Sequence, residues 1–273
     1  MTTILKKIPL YIIALILLIF TGYPFLYMVS TALKKQSEFF EEPFAIFSSL
    51  TLENFVSVFE MGLTRYFFNS ILITVVAVVA VMFIGALASY PLSRMNFKLN
   101  RAVFLLFISG MMLPIHATLI PIFKFTENIG LYDTLWALLG PYIAFSLPIS
   151  IFILTQFMRE IPKALEEAAK MDGCTHFGIF WRVILPMLTP ALMTVLIYNF
   201  IHLFNEFIFA LVLISSPGSM TLPLGLQAFK GEFSVNVPGL MAALTLASLP
   251  ILVVYLFSQE KVVKGLGGGA VKE

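Results

Sequence analysis

The 273 residues include one cysteine, Cys174, so no disulfide can close within the chain. Histidine is nearly as scarce. His116, His176 and His202 stand far apart, with no spacing that would gather metal ligands. No Gly-Lys pair occurs, which excludes a G-x-x-x-x-G-K-[ST] phosphate loop. If the chain serves an ATP-driven process, the ATPase must be another polypeptide. There is no H-E-x-x-H, no cysteine cluster and no nucleophile motif, so no catalytic constellation supports a membrane enzyme. Charge is the largest deficit. Only 12% of residues are charged and 59% are hydrophobic, whereas soluble domains carry about a quarter charged residues. A soluble core is therefore excluded.

What fills the chain is long apolar runs, several above the ~18 residues that mark a membrane span. They lie at about 8–28, 68–92, 102–123, 134–157, 187–214 and 239–257. The first follows Lys6 and Lys7 and has no small-residue cleavage site after it, so it is expected to stay as a helix rather than leave as a signal peptide. Pro114 and Pro121 fall inside the third run, where they are expected to kink it. Six spans put both termini on one side. With the N-terminus inside, twelve basic residues face inward, among them Lys6, Arg94, Arg101, Arg182 and Lys272. Five face outward: Lys34, Lys35, Arg65, Lys124 and Lys230. The positive-inside rule then places both termini, and the charged loop 159–186, in the cytoplasm. The expected division is a first helix with its external loop, 1–66, and a five-helix core, 67–273, that carries this loop and a cytoplasmic tail.

That loop is the most informative stretch: IPKALEEAAKMDGCTHFGIFWRVILPMLTP, residues 161–190. Pro162 suits a first helical turn, and Gly173 falls where that helix would be capped. Thr175 is placed to cap a second short helix running to Arg182. Leu165, Ala168, Ala169 and Asp172 recur at helical spacing and are expected to share one side. Alanines there admit a close backbone, and the adjacent carboxylates Glu166 and Glu167 can take charge-assisted hydrogen bonds from a partner's Arg or Lys. A bare solvated loop is the alternative.

Farther along, Glu206 is the one acidic residue deep in a span. An ion-coupled carrier would be expected to hold more coupling charges there, so that reading is the weaker one. Glu206 lies roughly eight residues from the outer end of the fifth span, so about 12 Å deep at the helical rise. His202, Asn205 and Glu206 then share one face. Two roles stay open for them: a buried hydrogen-bond network between helices, or a polar lining of a pathway.

Glu167-Ala168-Ala169, Gly173 and Leu185-Pro186 resemble the EAA motif of permease subunits in binding-protein-dependent ABC importers, with Val183 where the family has Ile. Asn69-Ser70, the run from Ala88 to Arg94, the linker Gly130 to Thr134 and Leu139-Gly140-Pro141-Tyr142 are similar to the carbohydrate branch of that family. So are Phe204-Asn205-Glu206-Phe207, with Phe204 for the usual Trp, and the tail from Gly265 to Lys272. Cys174 falls where the family often has a small residue and reads as a packing residue. The likeness is to the smaller permease of maltose and oligosaccharide importers.

The resemblance implies an all-α membrane protein of six helices with the MetI-like permease fold and a cytoplasmic coupling helix. It implies a prokaryotic plasma (inner) membrane. It implies a non-catalytic subunit that moves a carbohydrate inward by alternating access, with a sugar phosphate or polyol as alternative cargo. The implied partners are a second related permease, two ATPase subunits that bind ATP and Mg, an external solute-binding protein and the bilayer, without nucleic acid. This chain itself is expected to hold no cofactor and no metal. ATPase coupling would fall to Glu166, Glu167, Ala168, Ala169, Asp172, Gly173, Leu185 and Pro186. His202, Asn205 and Glu206 are the candidates for the pathway.

Overall fold

Apolar runs of this length must satisfy their own backbone, and in lipid only a helix does so within one segment. The computed structural model accordingly contains helices and no strands among the residues it describes, 7–229 and 236–270. Lys6, Lys230 and Lys272 of the charge count, and the end of the tail, lie outside the described residues. The helices in chain order are α1 (Ile8–Ala32), α2 (Gln36–Glu41), α3 (Glu53–Glu60), α4 (Leu63–Arg94), α5 (Asn100–Ser109), α6 (Ile115–Asn128) and α7 (Leu139–Glu160). Then come α8 (Lys163–Met171), α9 (His176–Ile179), α10 (Leu185–Met187), α11 (Thr189–Phe204), α12 (Ile208–Leu213), α13 (Leu222–Phe229) and α14 (Val237–Ala270). Among the described residues, four helical spans are long and apolar enough to cross a membrane alone; two bent pairs raise the count to as many as six.

The chain divides into two units, Met1–Arg65 with Gly225–Leu249 and Tyr66–Leu224 with Pro250–Glu273. In the first, α1 exposes nearly all its apolar side chains and buries only Ser30, Thr31 and Ala32. The segment 33–62 folds under that end. Asn54 Nδ2 donates to the carbonyls of Ala32 and Lys34, both at 2.8 Å. Phe47 N–H donates to Ser30 Oγ at 2.7 Å. Lys34, counted above as an outer surface charge, is fully buried, with Nζ donating to Glu42 O at 3.0 Å.

In the second unit, Val81, Ala86, Tyr90, Leu154, Met158, Phe180, Ile184, Ala191 and Val195 form one packed cluster joining α4, α7, the turns after α9, and α11. Lipid tails are as apolar as leucine, so close packing and interhelical hydrogen bonds hold such helices together. Ser89 Oγ donates to Ile151 O at 3.2 Å, and Asn199 Nδ2 donates to Ser150 Oγ at 2.9 Å. A Cβ on Gly110 would lie 3.1 Å from Pro148 Cγ, so the end of α5 approaches α7 where only glycine fits without a shift.

Two expected spans are not continuous helices. The third breaks between α5 and α6 with a 97° bend. Pro114 lacks an N–H and holds Leu113 extended, at ψ 122, so the helix stops there instead of kinking. A 70° bend separates the α9–α10 segment from α11. Five residues of π-type turn, Phe180–Ile184, precede it. On the loop side of α6, Asp133 takes hydrogen bonds from Ser215 N–H at 2.7 Å, Ser216 N–H at 2.6 Å and the Ser216 hydroxyl. The Ser216 hydroxyl first, then the two amides, holds this carboxyl below the usual carboxylate range. Asn69 Nδ2 likewise donates to Gly218 O and Met220 O, tying the start of α4 to the same loop.

Candidate functional site

The charged loop is built around α8. Pro162 is its N-cap, and the helix ends at Met171 with Asp172 as C-cap. Gly173 follows at φ 82, the left-handed region. Gly173 N–H donates to Lys170 O at 3.0 Å and Cys174 N–H to Ala169 O at 2.9 Å. This pair of bonds is the Schellman arrangement, which closes the last carbonyls of a helix. Thr175 Oγ1 then accepts from Gly178 N–H at 3.3 Å and caps α9. Cys174 is half-buried and packs against the main cluster.

The two faces of α8 differ from the single side read from spacing. Glu166 and Ala169 turn inward and are buried. Glu167, Ala168 and Asp172 are exposed, with Leu165 at 40% and Met171 at 89% exposure beside them. Glu166 is therefore not an outward group. Its Oε1 lies 2.7 Å from Arg94 Nε. Neither of these atoms makes an aligned hydrogen bond, so charge attraction rather than a linear N–H···O contact holds them. Arg94 Nη2 also donates to Ile161 O at 2.7 Å. Leu185 is partly buried against the main cluster, and Pro186 is exposed.

The second site is at the end of α11. The fifth span is not one helix through Glu206, as continuity would require. It stops at Phe204 and resumes at Ile208. Asn205 Nδ2 donates to Ile201 O at 2.8 Å and closes the end of α11. Glu206 Oε1 accepts from Phe209 N–H at 2.7 Å, and Oε2 from Ala210 N–H at 3.3 Å, capping α12. The buried Tyr142 hydroxyl donates to the same Oε2 at 3.0 Å. Backbone N–H groups freed inside a membrane must find partners, and Glu206 supplies them for α12, while Asn205 adds a second donor to Ile201 O, which its own N–H already reaches.

Beside this break lies a cleft of about 290 Å³, lined by Tyr142, Ser146, Tyr198, Asn199, His202 and Glu206 among others. His202 packs against Tyr198 with the rings tilted by 52° and their centroids 4.4 Å apart. So His202 and Glu206 meet at one cavity, while Asn205 faces elsewhere and serves α11.

Residues 82–267 match the family described as "Binding-protein-dependent transport system inner membrane component". The chain belongs to that family. The permease is 49% identical over 250 residues to the "Putative ABC transporter permease protein ORF2" of Caldicellulosiruptor sp., covering 91% of each chain. It is 34% identical over 275 residues to the "Trehalose/maltose transport system permease protein MalG" of Thermococcus litoralis, covering 98% of each. Its fold matches a crystal structure of a bacterial ABC transporter involved in alginate import, with TM-score 0.77, 23% identity and 95% of each chain covered. Three residues that matter in this permease were not singled out by sequence reasoning. Arg94 appeared in the inward charge count and as the end of the Ala88–Arg94 run, with no partner attached, and Glu166 is remote in the chain. Tyr142 appeared only within the Leu139–Tyr142 motif, with no role attached, and Asn199 gave no signal, because a lone polar residue in an apolar run is common.

Proposed function

We propose that this permease forms half of a membrane pathway that carries a carbohydrate into the cytoplasm. It works with a second related permease, two ATPase subunits that hold ATP and Mg, and an external solute-binding protein. The observation that carries this reading is the outer face of α8. Leu165 and Met171 stand exposed beside Glu167 and Asp172, on a charged loop between apolar spans. Exposed apolar side chains rimmed by carboxylates suit a protein partner with a basic-edged cleft. Carbohydrate as cargo is supported by the trehalose/maltose relative and by the cleft. Hydroxyls, imidazole, amide and carboxylate line it beside aromatic rings, and its lining includes no Lys or Arg. That favours a neutral, hydroxyl-rich solute over a sugar phosphate.

The test is Glu167→Ala in the complete complex. ATPase subunits should be lost, or hydrolysis should no longer drive uptake, while membrane insertion persists. Wild-type uptake by this variant would remove the docking role.

The same reading places both termini and α8 in the cytoplasm. Reporter fusions after Glu273 should behave as internal and fusions near Glu41 as external. The reverse pattern overturns the orientation and, with it, the ATPase contact.

A further inference from the structure

We propose that Arg94 is a positioning residue that fastens α8 to the spans, so that a push on α8 is delivered to the ends of α4 and α7 together. This rests on the reading of α8 as the ATPase-docking helix. One guanidinium reaches three elements. It stands at the last residue of α4. Its Nη2 donates to Ile161 O at 2.7 Å, the carbonyl just past the end of α7. Its Nε lies 2.7 Å from Glu166 Oε1 on α8. The two side chains are only 4% and 9% exposed.

Burial gives this contact its stiffness. Opening a buried ion pair leaves two charges out of water and unpaired, so the pair stays closed while the elements it joins move. Around it, Ala169 of α8 joins Tyr90, Met158 and Phe180 in the main cluster. Tyr90 and Phe180 have ring centroids 5.4 Å apart. The inner face of α8 is thus attached by one charge and one small apolar residue, three apart on the helix. Glu167 next door points away, so the two adjacent carboxylates do different work: one holds the bundle, the other faces outward. Arginine is required because its planar fork serves a carboxylate and a carbonyl at once; a lysine has a single point of charge.

The experiment uses the complete complex in proteoliposomes, with ATP hydrolysis and solute uptake measured on the same preparation. Glu166→Gln keeps the shape and removes the charge; Arg94→Lys keeps the charge and removes the fork. Both should retain the ATPase subunits and hydrolyse ATP, while solute moved per ATP falls about ten-fold. The exchange variant Arg94→Glu/Glu166→Arg restores the ion pair but leaves Ile161 O without its donor, so it should regain assembly relative to Arg94→Glu alone without regaining the ratio. An unchanged ratio in Glu166→Gln and Arg94→Lys overturns the proposal. So does loss of assembly in both without recovery in the exchange, which marks a merely structural pair. If the underlying docking reading is wrong, the signature differs: Glu167→Ala then transports normally, whatever the Arg94 variants do.

Discussion

Gly173→Val is expected to lower ATP-dependent uptake by an order of magnitude or more, with the protein still inserted in the membrane. Gly173 sits at φ 82, where a β-branched residue pays roughly 1–3 kcal/mol of backbone strain. α8 has nine residues, too few to be stable through its own hydrogen bonds. Its end depends on the bonds from Gly173 to Lys170 and from Cys174 to Ala169. A residue that abandons the left-handed conformation gives up both, and Asp172 and Met171 swing with the chain. A Cβ on Gly173 would meet nothing within 4 Å in this chain, so intrachain crowding is not the reason for glycine. Two causes then separate experimentally. Asparagine tolerates positive φ. If backbone conformation is the whole requirement, Gly173→Asn should keep most uptake while Gly173→Val loses it. If a partner's surface must approach closely, Asn and Val should fail alike. Normal assembly and uptake in Gly173→Val would falsify both accounts.

Some of this architecture is written plainly in one dimension. The long apolar runs give the spans of α1, α4, α7 and α14, because a lipid-exposed or bundle-facing helix needs little besides length and hydrophobicity. The α8 turn is equally legible, since Gly173 supplies a conformation that few residues tolerate. Hydropathy fails where side chains take over the backbone's hydrogen bonds. The run 187–214 is apolar but for a few polar residues, yet the helix stops at Phe204, and the Glu206 carboxylate takes the Phe209 and Ala210 N–H groups that a continuous helix would have paired. Adjacent Asn and Glu in an apolar run are residues that cap helix ends, and that was the available signal. Pro114 was visible as a kink, but a 97° turn also needs Leu113 extended. The inward turn of Glu166 was not readable, because nothing local says that Arg94 waits beneath it.

Glu206→Ala is expected to lose the assembled complex. The carboxylate makes the cap of α12 through Phe209 N–H and Ala210 N–H, and it accepts the hydroxyl of Tyr142. Losing a helix cap costs about 0.5–2 kcal/mol. Leaving a buried hydroxyl without a partner costs about 1–3 kcal/mol more, and Tyr142 is only 1% exposed. Those terms act at a helix break inside the membrane, where no bulk water replaces the lost acceptor. Glu206→Gln behaves differently. Its carbonyl oxygen can keep the short bond from Phe209 N–H, and its amide can donate to a reoriented Tyr142 hydroxyl. Only the longer 3.3 Å bond from Ala210 N–H is surrendered. This variant should therefore assemble in wild-type amounts. Tyr142→Phe should as well, since it removes one bond and leaves the cap. Because Glu206 also lines the cleft with His202 and Tyr198, Gln should alter uptake or basal ATP hydrolysis in an intact complex. Intact assembly with unchanged uptake in Glu206→Gln would leave the residue as a cap alone. Wild-type assembly and uptake in Glu206→Ala would sink the cap and the lining role together.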